Sequence, residues 1–294
     1  MKAAHYDDFR ASLQLRVVSR GLSRWRQESR LTGAEVSRRG GFSQSKISKL
    51  ENATQTINPP DVIALGLVYG VPEKERDALF HAAVRARDPR MWEAMGRDLP
   101  CAGWNYAEVA AEAAELRILA ADVLPPILRT QEYALAVTSA QAITLAEHLP
   151  PFDADRHRQH QARLREDPPL RVHLIVGESV LRRPTGGRRV MADQLVRLQA
   201  LAELPSVTVQ VLPPGLGAYP GMGTPFTILS FVEERFDDVV HLGQLDGGRW
   251  LESIRELAPY RETFAKLTSI AMDRGRSLDV ITELLDTMTE RPGE

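Results

Sequence analysis

The chain of 294 residues has one cysteine, few aromatic residues and no long apolar run. Because Cys101 stands alone, neither an intramolecular disulfide nor a cysteine-rich zinc site can form. No apolar stretch approaches the roughly 20 residues that a membrane-spanning helix needs. The N-terminus also lacks the basic-then-apolar pattern of a signal peptide. We therefore expect a cytoplasmic protein that makes no membrane contact.

The sequence signatures of common catalytic and cofactor sites are missing as well. There is no G-x-S-x-G, no P-loop, no dinucleotide fingerprint after a strand and no H-E-x-x-H. His157 and His160 have a spacing that two metal ligands on a helix can use, but no third ligand is evident. The sequence thus predicts a protein that is not an enzyme and that holds neither a metal nor a cofactor.

Charge is nearly balanced over the whole chain but unevenly distributed along it. The net charge is −2, while residues 1–50 contain 11 Lys and Arg against 4 Asp and Glu. This segment therefore carries +7 and the remainder of the chain carries −9. A local excess of positive charge suits the neutralisation of nucleic-acid phosphates. The distribution points to the N-terminal part as the part that binds an anionic polymer.

Residues 31–52, LTGAEVSRRGGFSQSKISKLEN, predict two short helices joined by a tight turn. Thr32 and Glu35 have the spacing of a capping box, which satisfies free amides at a helix start. The glycine pair that follows ends this helix, since glycine adopts positive φ without a steric penalty. Ser43 then provides a second N-cap. The pattern is that of a helix-turn-helix that reads DNA.

The second helix of this motif has one apolar face and one polar face. Ile47 and Leu50 have the spacing to pack against Val36 of the first helix. The opposite face, with the N-cap, suits a major groove and supplies the predicted DNA-binding residues: Ser43, Gln44, Ser45, Lys46, Ser48 and Lys49. Lysines alone are ordinary on any surface helix, so the prediction depends on the helix-turn-helix pattern around them.

The segment resembles the helix-turn-helix of lambdoid-phage repressors and Cro, the XRE family, and its ISKLEN tail is especially typical. The resemblance implies that the second helix lies in the major groove, with Gln44 reading a base, plausibly adenine. It further implies a structural ion pair between Arg26 and Glu51. Gly33 departs from the family, which often has a glutamine there that binds the DNA backbone.

The periodicity of the chain changes along its length and predicts three parts. Residues 1–90 form an all-α helix-turn-helix domain, and residues 91–168 form a mainly helical connector that includes a helix over 106–121. Residues 169–294 form an α/β domain with a mixed sheet. Its predicted strands cover 171–176, 207–212, 226–231 and 239–242, and its predicted helices cover 190–202, 254–272 and 278–289.

The C-terminal part also resembles a known family, the domain of unknown function numbered 5753. The segments that carry the resemblance are LPPILRTQEYA, ESVLRRPTGG, MADQLVRLQALAELPSVTVQVLP and GAYPGMGTPFTIL. In actinomycetes this domain follows DNA-binding domains in regulators that are often encoded beside a small acidic protein. Gly177, Tyr219 and Gly243 replace residues that are frequently aspartate, histidine and glutamate, which argues against catalysis.

Two places in the C-terminal part are candidates for a ligand or partner site. Arg188 and Arg189 follow a glycine pair and could hold an anion through amides and guanidinium groups. The long Gly- and Pro-rich loop at 213–223 carries Tyr219 and Met222 and could cover a pocket or dock a partner. A plain surface loop is the simpler explanation of both segments.

Together these features predict a sequence-specific, DNA-binding transcription regulator associated with the nucleoid. One helix-turn-helix buries little DNA, so we expect a homodimer on a pseudo-palindrome. The C-terminal domain would sense a small-molecule effector or a partner protein. The alternative is an antitoxin-like or adaptor module that sequesters a small acidic partner and binds DNA only for autoregulation. A third reading is an enzyme tethered to DNA.

Overall fold

The computed structural model of the protein describes residues 13–87, 106–145, 153–232, 237–243 and 248–289. The chain divides into two compact units, one of residues 1–100 with 233–237 and the other of residues 101–232 with 238–294. Cys101 lies outside the described residues. Within the described ranges, no helix is both long enough and apolar enough to cross a membrane.

The N-terminal unit is helical, as the sequence predicted. Its described helices are α1 (Leu13–Glu28), α2 (Gly33–Gly40), α3 (Gln44–Glu51), α4 (Pro59–Tyr69) and α5 (Glu73–Arg87). The core that they enclose is formed by Leu15, Val18, Leu22, Trp25, Val36, Phe42, Ile47, Leu50, Ala53, Ile57, Val62, Leu65, Tyr69 and Ala83. Each of these five described helices contributes to this core.

The ends of these helices follow the capping chemistry of the sequence. The capping box forms: the Glu35 amide donates to the Thr32 hydroxyl, and the Thr32 amide donates to the Glu35 carboxylate at 2.8 Å. Gly41 ends α2 with φ 71°, and Gly70 ends α4 with φ 73°. The proline pair at the start of α4 needs no amide hydrogen bond there.

The C-terminal unit is built on a mixed sheet of six described strands, which confirms the predicted α/β class. The strands are β1 (Glu115–Ala120), β2 (Arg171–Gly177), β3 (Val207–Leu212), β4 (Phe226–Ser230), β5 (Val239–Leu242) and β6 (Arg249–Leu251). Their order in the sheet is β3-β2-β1-β4-β5-β6. The first three run parallel, and β4, β5 and β6 pair antiparallel with their neighbours.

Helices accompany this sheet. They are α6 (Tyr106–Ala110), α7 (Gln131–Leu145), α8 (Ala154–Ala162), α9 (Glu178–Arg182), α10 (Arg188–Ala202), α11 (Ile254–Ile270) and α12 (Arg274–Thr289). Leu257, Phe264 and Leu267 of α11 pack on one face of the sheet in a cluster that includes Ile228 and Val240. Helices α10 and α12 pack against each other and against β3. The predicted helices over 190–202, 254–272 and 278–289 are thus confirmed to within a few residues.

The predicted helix over 106–121 is wrong in its second half. Helix α6 ends at Ala110, and Glu115–Ala120 forms β1, the strand between β2 and β4. Alanine, glutamate and leucine favour a helix in isolation. Pairing on both edges overrides that preference, because a central strand satisfies all its backbone hydrogen bonds. Segment 91–168 therefore contributes a strand to the sheet as well as helices.

Candidate nucleic-acid interface

Helix α3 separates its apolar and polar residues onto opposite faces. Ile47 is 3% exposed and Leu50 is fully buried, whereas Gln44, Ser48 and Lys49 are exposed. Ser43 caps the helix, because its hydroxyl accepts a hydrogen bond from the Lys46 amide at 3.1 Å. Ser45 is exposed beside Gln44 in the first turn. The helix thus offers amide and hydroxyl groups to a groove while its other face anchors it.

The turn between α2 and α3 consists of residues 41–43 and depends on close packing. Gly41 has φ 71°, a conformation that favours glycine. The Phe42 side chain is buried in the core. A Cβ atom on Gly40 would lie 3.0 Å from the Phe42 ring and 3.1 Å from Val68, so glycine permits this approach. Gly41 therefore allows the chain to reverse direction, and Gly40 allows Phe42 and Val68 to pack closely against the backbone.

Lys46 differs from the other predicted DNA-binding residues. Its ammonium group lies 2.8 Å from the Asp61 carboxylate in the first turn of α4. It also lies 4.9 Å from the centre of the Phe42 ring, in cation–π geometry. The side chain is half-buried, whereas the sequence predicted a fully outward lysine. Asp61 and Phe42 were not among the predicted site residues, since sequence spacing alone does not show which acid meets which lysine.

The end of α3 explains the polar residue that closes the ISKLEN segment. The Asn52 side-chain amide donates to the Ser48 carbonyl at 2.8 Å, and the Thr54 amide donates to the Lys49 carbonyl at 3.0 Å. Ala53 between them has φ 51°. These bonds satisfy carbonyls that the last turn of a helix leaves free. They fix the position of Ser48 and Lys49 on the exposed face.

A bidentate ion pair joins α1 to the end of α3. Arg26 Nε and Nη2 donate to the Glu51 carboxylate at 2.7 and 2.8 Å. The two side chains are 27% and 9% exposed, respectively, so the pair is largely withdrawn from water. Hydrogen bonding to Glu51 raises the pKa of Arg26, and burial near the same carboxylate raises the pKa of Tyr69. The pair sets the position of α3 on the helical core.

The four predicted residues of the C-terminal part lie on different elements, in the two places that the sequence indicated. Arg188 starts α10 and donates to the Thr287 carbonyl on α12, and Arg189 is exposed beside it. Tyr219 packs against the apolar cluster beneath α11, while Met222 is 60% exposed. The guanidinium groups and the tyrosine are thus attached to different elements.

The two histidines considered as metal ligands have other contacts. His160 is buried, and His157 Nε2 lies 3.3 Å from the Arg129 carbonyl and 2.9 Å from the Gln161 side-chain amide. Burial lowers the pKa of His157. In the part of the chain that the structure describes, no three His, Cys, Asp or Glu side chains are grouped as metal ligands.

Comparison with known proteins identifies both parts of the chain. Residues 18–79 match the family described as "Helix-turn-helix domain". Residues 105–283 match the family described as "Domain of unknown function (DUF5753)". Comparisons with curated proteins and with solved structures find no match. The first match includes α2, α3 and the turn between them, and the second includes the six described strands.

Proposed function

This chain belongs to the family defined by the domain DUF5753, and because a helix-turn-helix domain precedes that domain, we propose that it is a sequence-specific transcription regulator of the XRE type. The observation that carries the proposal is the geometry of α3. Its exposed face presents Gln44, Ser45 and Ser48, while Ile47 and Leu50 fix the helix to the core. A capped, anchored helix with an amide at its start is suited to reading base edges.

The individual residues have different roles in this proposal. Gln44 and Ser45, in the first turn of α3, contact bases, because the first residues of a recognition helix enter the groove most deeply. Lys49 and Ser43 contact phosphate or the groove edge. Lys46 reaches a phosphate by leaving its ion pair with Asp61. Base contacts then determine which sequence is bound, and phosphate contacts set the register.

The regulator acts as a dimer on the nucleoid. A single helix-turn-helix reads too few base pairs for high specificity, so two copies bind half-sites about 34 Å apart. The C-terminal domain joins the two copies and receives a signal from a small molecule or a partner. The architecture supports this role for the C-terminal domain. The domain has a core and a sheet of its own, which a protein that only binds DNA would not need.

Selection of bound duplexes from a randomised DNA pool, at two salt concentrations, tests this function. We expect a two-fold-symmetric motif that persists at the higher salt. Gln44→Ala should relax one base position, at a cost of about 1–3 kcal/mol for the preferred base. Lys49→Ala should weaken binding to all DNA sequences alike. Lys74→Ala on α5 removes a lysine outside the proposed interface and is the control.

The opposite result would also be informative. Binding that is sequence-blind and strongly salt-sensitive would contradict the proposal. It would favour an adaptor that binds a small acidic partner and contacts DNA only weakly. An unchanged motif in the Gln44→Ala variant would remove Gln44 from the base-reading set.

A further inference from the structure

Helices α4 and α5 lie against each other as antiparallel neighbours. The Arg87 guanidinium at the end of α5 donates to the Asn58 side-chain oxygen just before α4, at 3.1 Å. Further along α4, a Cβ atom on Gly66 would lie 2.7 Å from the Arg76 side chain near the start of α5. These two contacts fix the register of the helix pair. A position on α4 midway between them therefore lies level with the middle of α5.

Two apolar side chains in the middle of α5 lie outside the core of the helical unit. Ala83 belongs to that core, and Leu79 and Ala86 pack against it. Phe80 and Val84 are half-buried, and among the described residues neither belongs to the core nor packs against it. A separation of four residues places Phe80 and Val84 together on another side of the helix.

Helix α4 extends this apolar surface. Ile63 is half-buried and, within the described part of the unit, also lies outside the core and the side chains packed on it. The register of the two helices places Ile63 level with Phe80. Leu67, one turn further along α4, is 62% exposed. An apolar surface that continues across two neighbouring helices is typical of a contact with another molecule.

Charged residues stand at both ends of the same side of α5. Glu73, Phe80, Val84 and Arg87 follow one another at intervals of seven, four and three residues, which keeps side chains on one side of a helix. We call this set the α5 face. Glu73 and Arg87 are both exposed, and among the described residues neither forms an ion pair. They are about 21 Å apart along the helix, which is too far for them to pair with each other.

The α5 face is complementary to itself. Phe80 stands midway between Glu73 and Arg87 in the sequence. A two-fold axis beside Phe80 therefore brings Glu73 of one copy opposite Arg87 of a second copy, and this contact occurs twice in the dimer. The apolar side chains meet between the two ion pairs. Asp77, at the solvent edge of the face, has no charged residue opposite it and contributes little.

We propose that the α5 face, with Ile63 and Leu67 beside it, pairs the helix-turn-helix units of two copies of this chain in antiparallel orientation. The occupant is a second copy because the charge pattern matches its own reverse. Helix α5 has 15 residues, a length of about 22 Å, so one such helix pair buries less than the roughly 1,200–2,000 Å² of a stable interface. The contact therefore adds to the one proposed for the C-terminal domains. In this respect it rests on the function proposed above, but the pairing itself needs no DNA.

A cycle of charge reversals tests the pairing. Sedimentation equilibrium of the full-length protein without DNA gives the dissociation constant of the dimer. Glu73→Arg and Arg87→Glu each place like charges opposite each other twice, so each should raise this constant by about tenfold. The double variant Glu73→Arg, Arg87→Glu should return to within about threefold of wild type. Because the two residues of one chain cannot reach each other, this recovery requires a second copy.

Lys74→Glu is the control for the charge reversals. It makes the same change of charge as Arg87→Glu at an exposed position of α5 outside the α5 face, and should stay within about twofold of wild type. Thermal unfolding of each variant checks the fold. The proposal is overturned if the double variant associates no better than the single variants. It is equally overturned if the single variants unfold more easily while the dissociation constant stays unchanged, since another part of the same chain would then cover this face.

Crosslinking tests the position of the two-fold axis. In a Cys101→Ser background, Phe80→Cys should give covalent dimers with a short bis-maleimide, because the two copies of residue 80 meet at the axis. Ala78→Cys is exposed on another side of α5 and should give few. Equal yields from the two variants would refute antiparallel pairing about Phe80.

The outcomes separate this proposal from the regulatory one. If DNA selection yields a symmetric motif but the charge cycle shows no recovery, the α5 contact fails and the regulator stands. If the cycle shows recovery but DNA binding is sequence-blind, the regulator fails and the α5 contact stands.

Discussion

Lys46 Nζ lies 2.8 Å from Asp61 Oδ2, and this ion pair ties the recognition helix to the first turn of α4. The same ammonium sits over the Phe42 ring. Lys46 can bind a DNA phosphate only if it first releases the Asp61 carboxylate. Asp61 also places a negative charge beside the surface proposed to meet DNA, where it opposes non-specific binding.

We predict that Asp61→Asn strengthens DNA binding to all sequences. The change frees Lys46 and removes a repulsive charge, so the slope of log affinity against log salt should steepen by about one unit. The preference for the selected motif over random DNA should fall in the same variant. Fluorescence anisotropy with specific and random duplexes at several salt concentrations measures both quantities.

Asp77→Asn on α5 is the control, since it makes the same change of charge on an exposed helix position. It should leave affinity nearly unchanged. Weaker binding by Asp61→Asn would show instead that Asp61 positions Lys46 for contact with DNA.

The ion pair between Arg26 and Glu51 gives a second prediction. Arg26→Met leaves a largely buried carboxylate without its partner and should lower the free energy of unfolding of the helical unit by about 3 kcal/mol. The double variant Arg26→Met, Glu51→Leu should recover most of this loss. Denaturant unfolding of the four members of the cycle gives the coupling energy. Additive effects of the two changes would mean that the pair contributes no coupling.

A matched pair of substitutions tests the left-handed residues that end α1 and α2. Arg30 has φ 55° and an exposed side chain, so Arg30→Gly should stabilise the protein by about 0.5–1 kcal/mol. Gly41 has φ 71° and open space around its Cα, so Gly41→Ala should destabilise it by about 1 kcal/mol through backbone strain alone. Thermal unfolding should show shifts of opposite sign. Shifts of the same sign would contradict the assigned conformations.

His173 makes the stability of the sheet domain depend on pH. Burial lowers its pKa below the ordinary 6.5, although its hydrogen bond of 2.7 Å to Gln210 opposes the shift. As pH falls below 6.5, the unfolded chain binds a proton that the folded domain resists. Stability is thus complete above the unfolded pKa and decreases as pH falls toward the folded pKa, by up to about 1.4 kcal/mol per pH unit.

His173→Gln should remove this part of the pH dependence. Unfolding of wild type and variant between neutral and mildly acidic pH measures the difference. His157, whose pKa is also lowered by burial, should account for part of the residual slope, which should decrease further when both residues are replaced. Identical slopes in wild type and His173→Gln would contradict the prediction.

The sequence predicted the helix-turn-helix well because its determinants are local. The Thr32–Glu35 box, Gly41 and Ser43 each act within a few residues, and the apolar spacing of Ile47 and Leu50 fixes their side of the helix. β1 was mistaken for a helix because its strand character comes from partners at 171–176 and 226–230. The same limit applies to Lys46, since Asp61 lies on another helix. The pattern of a short stretch of sequence does not show which distant residues it will pair with.

The two candidate places in the C-terminal part stay predictions, because local sequence pattern does not show which elements surround them. Arg188 and Tyr219 stand in conspicuous glycine-rich segments, yet the structure attaches them to different elements.

The position of β1 in the sheet sets the order in which the two domains can fold during synthesis. Among the described residues, the buried core of the helical unit is formed by side chains between residues 15 and 83, all of which are synthesised before β1. β1 must wait for β2 and then for β4, which begins more than a hundred residues after β1 ends. A nascent chain therefore acquires its DNA-binding surface well before the sheet closes. During that interval the unpaired edge of β1 needs protection from other chains.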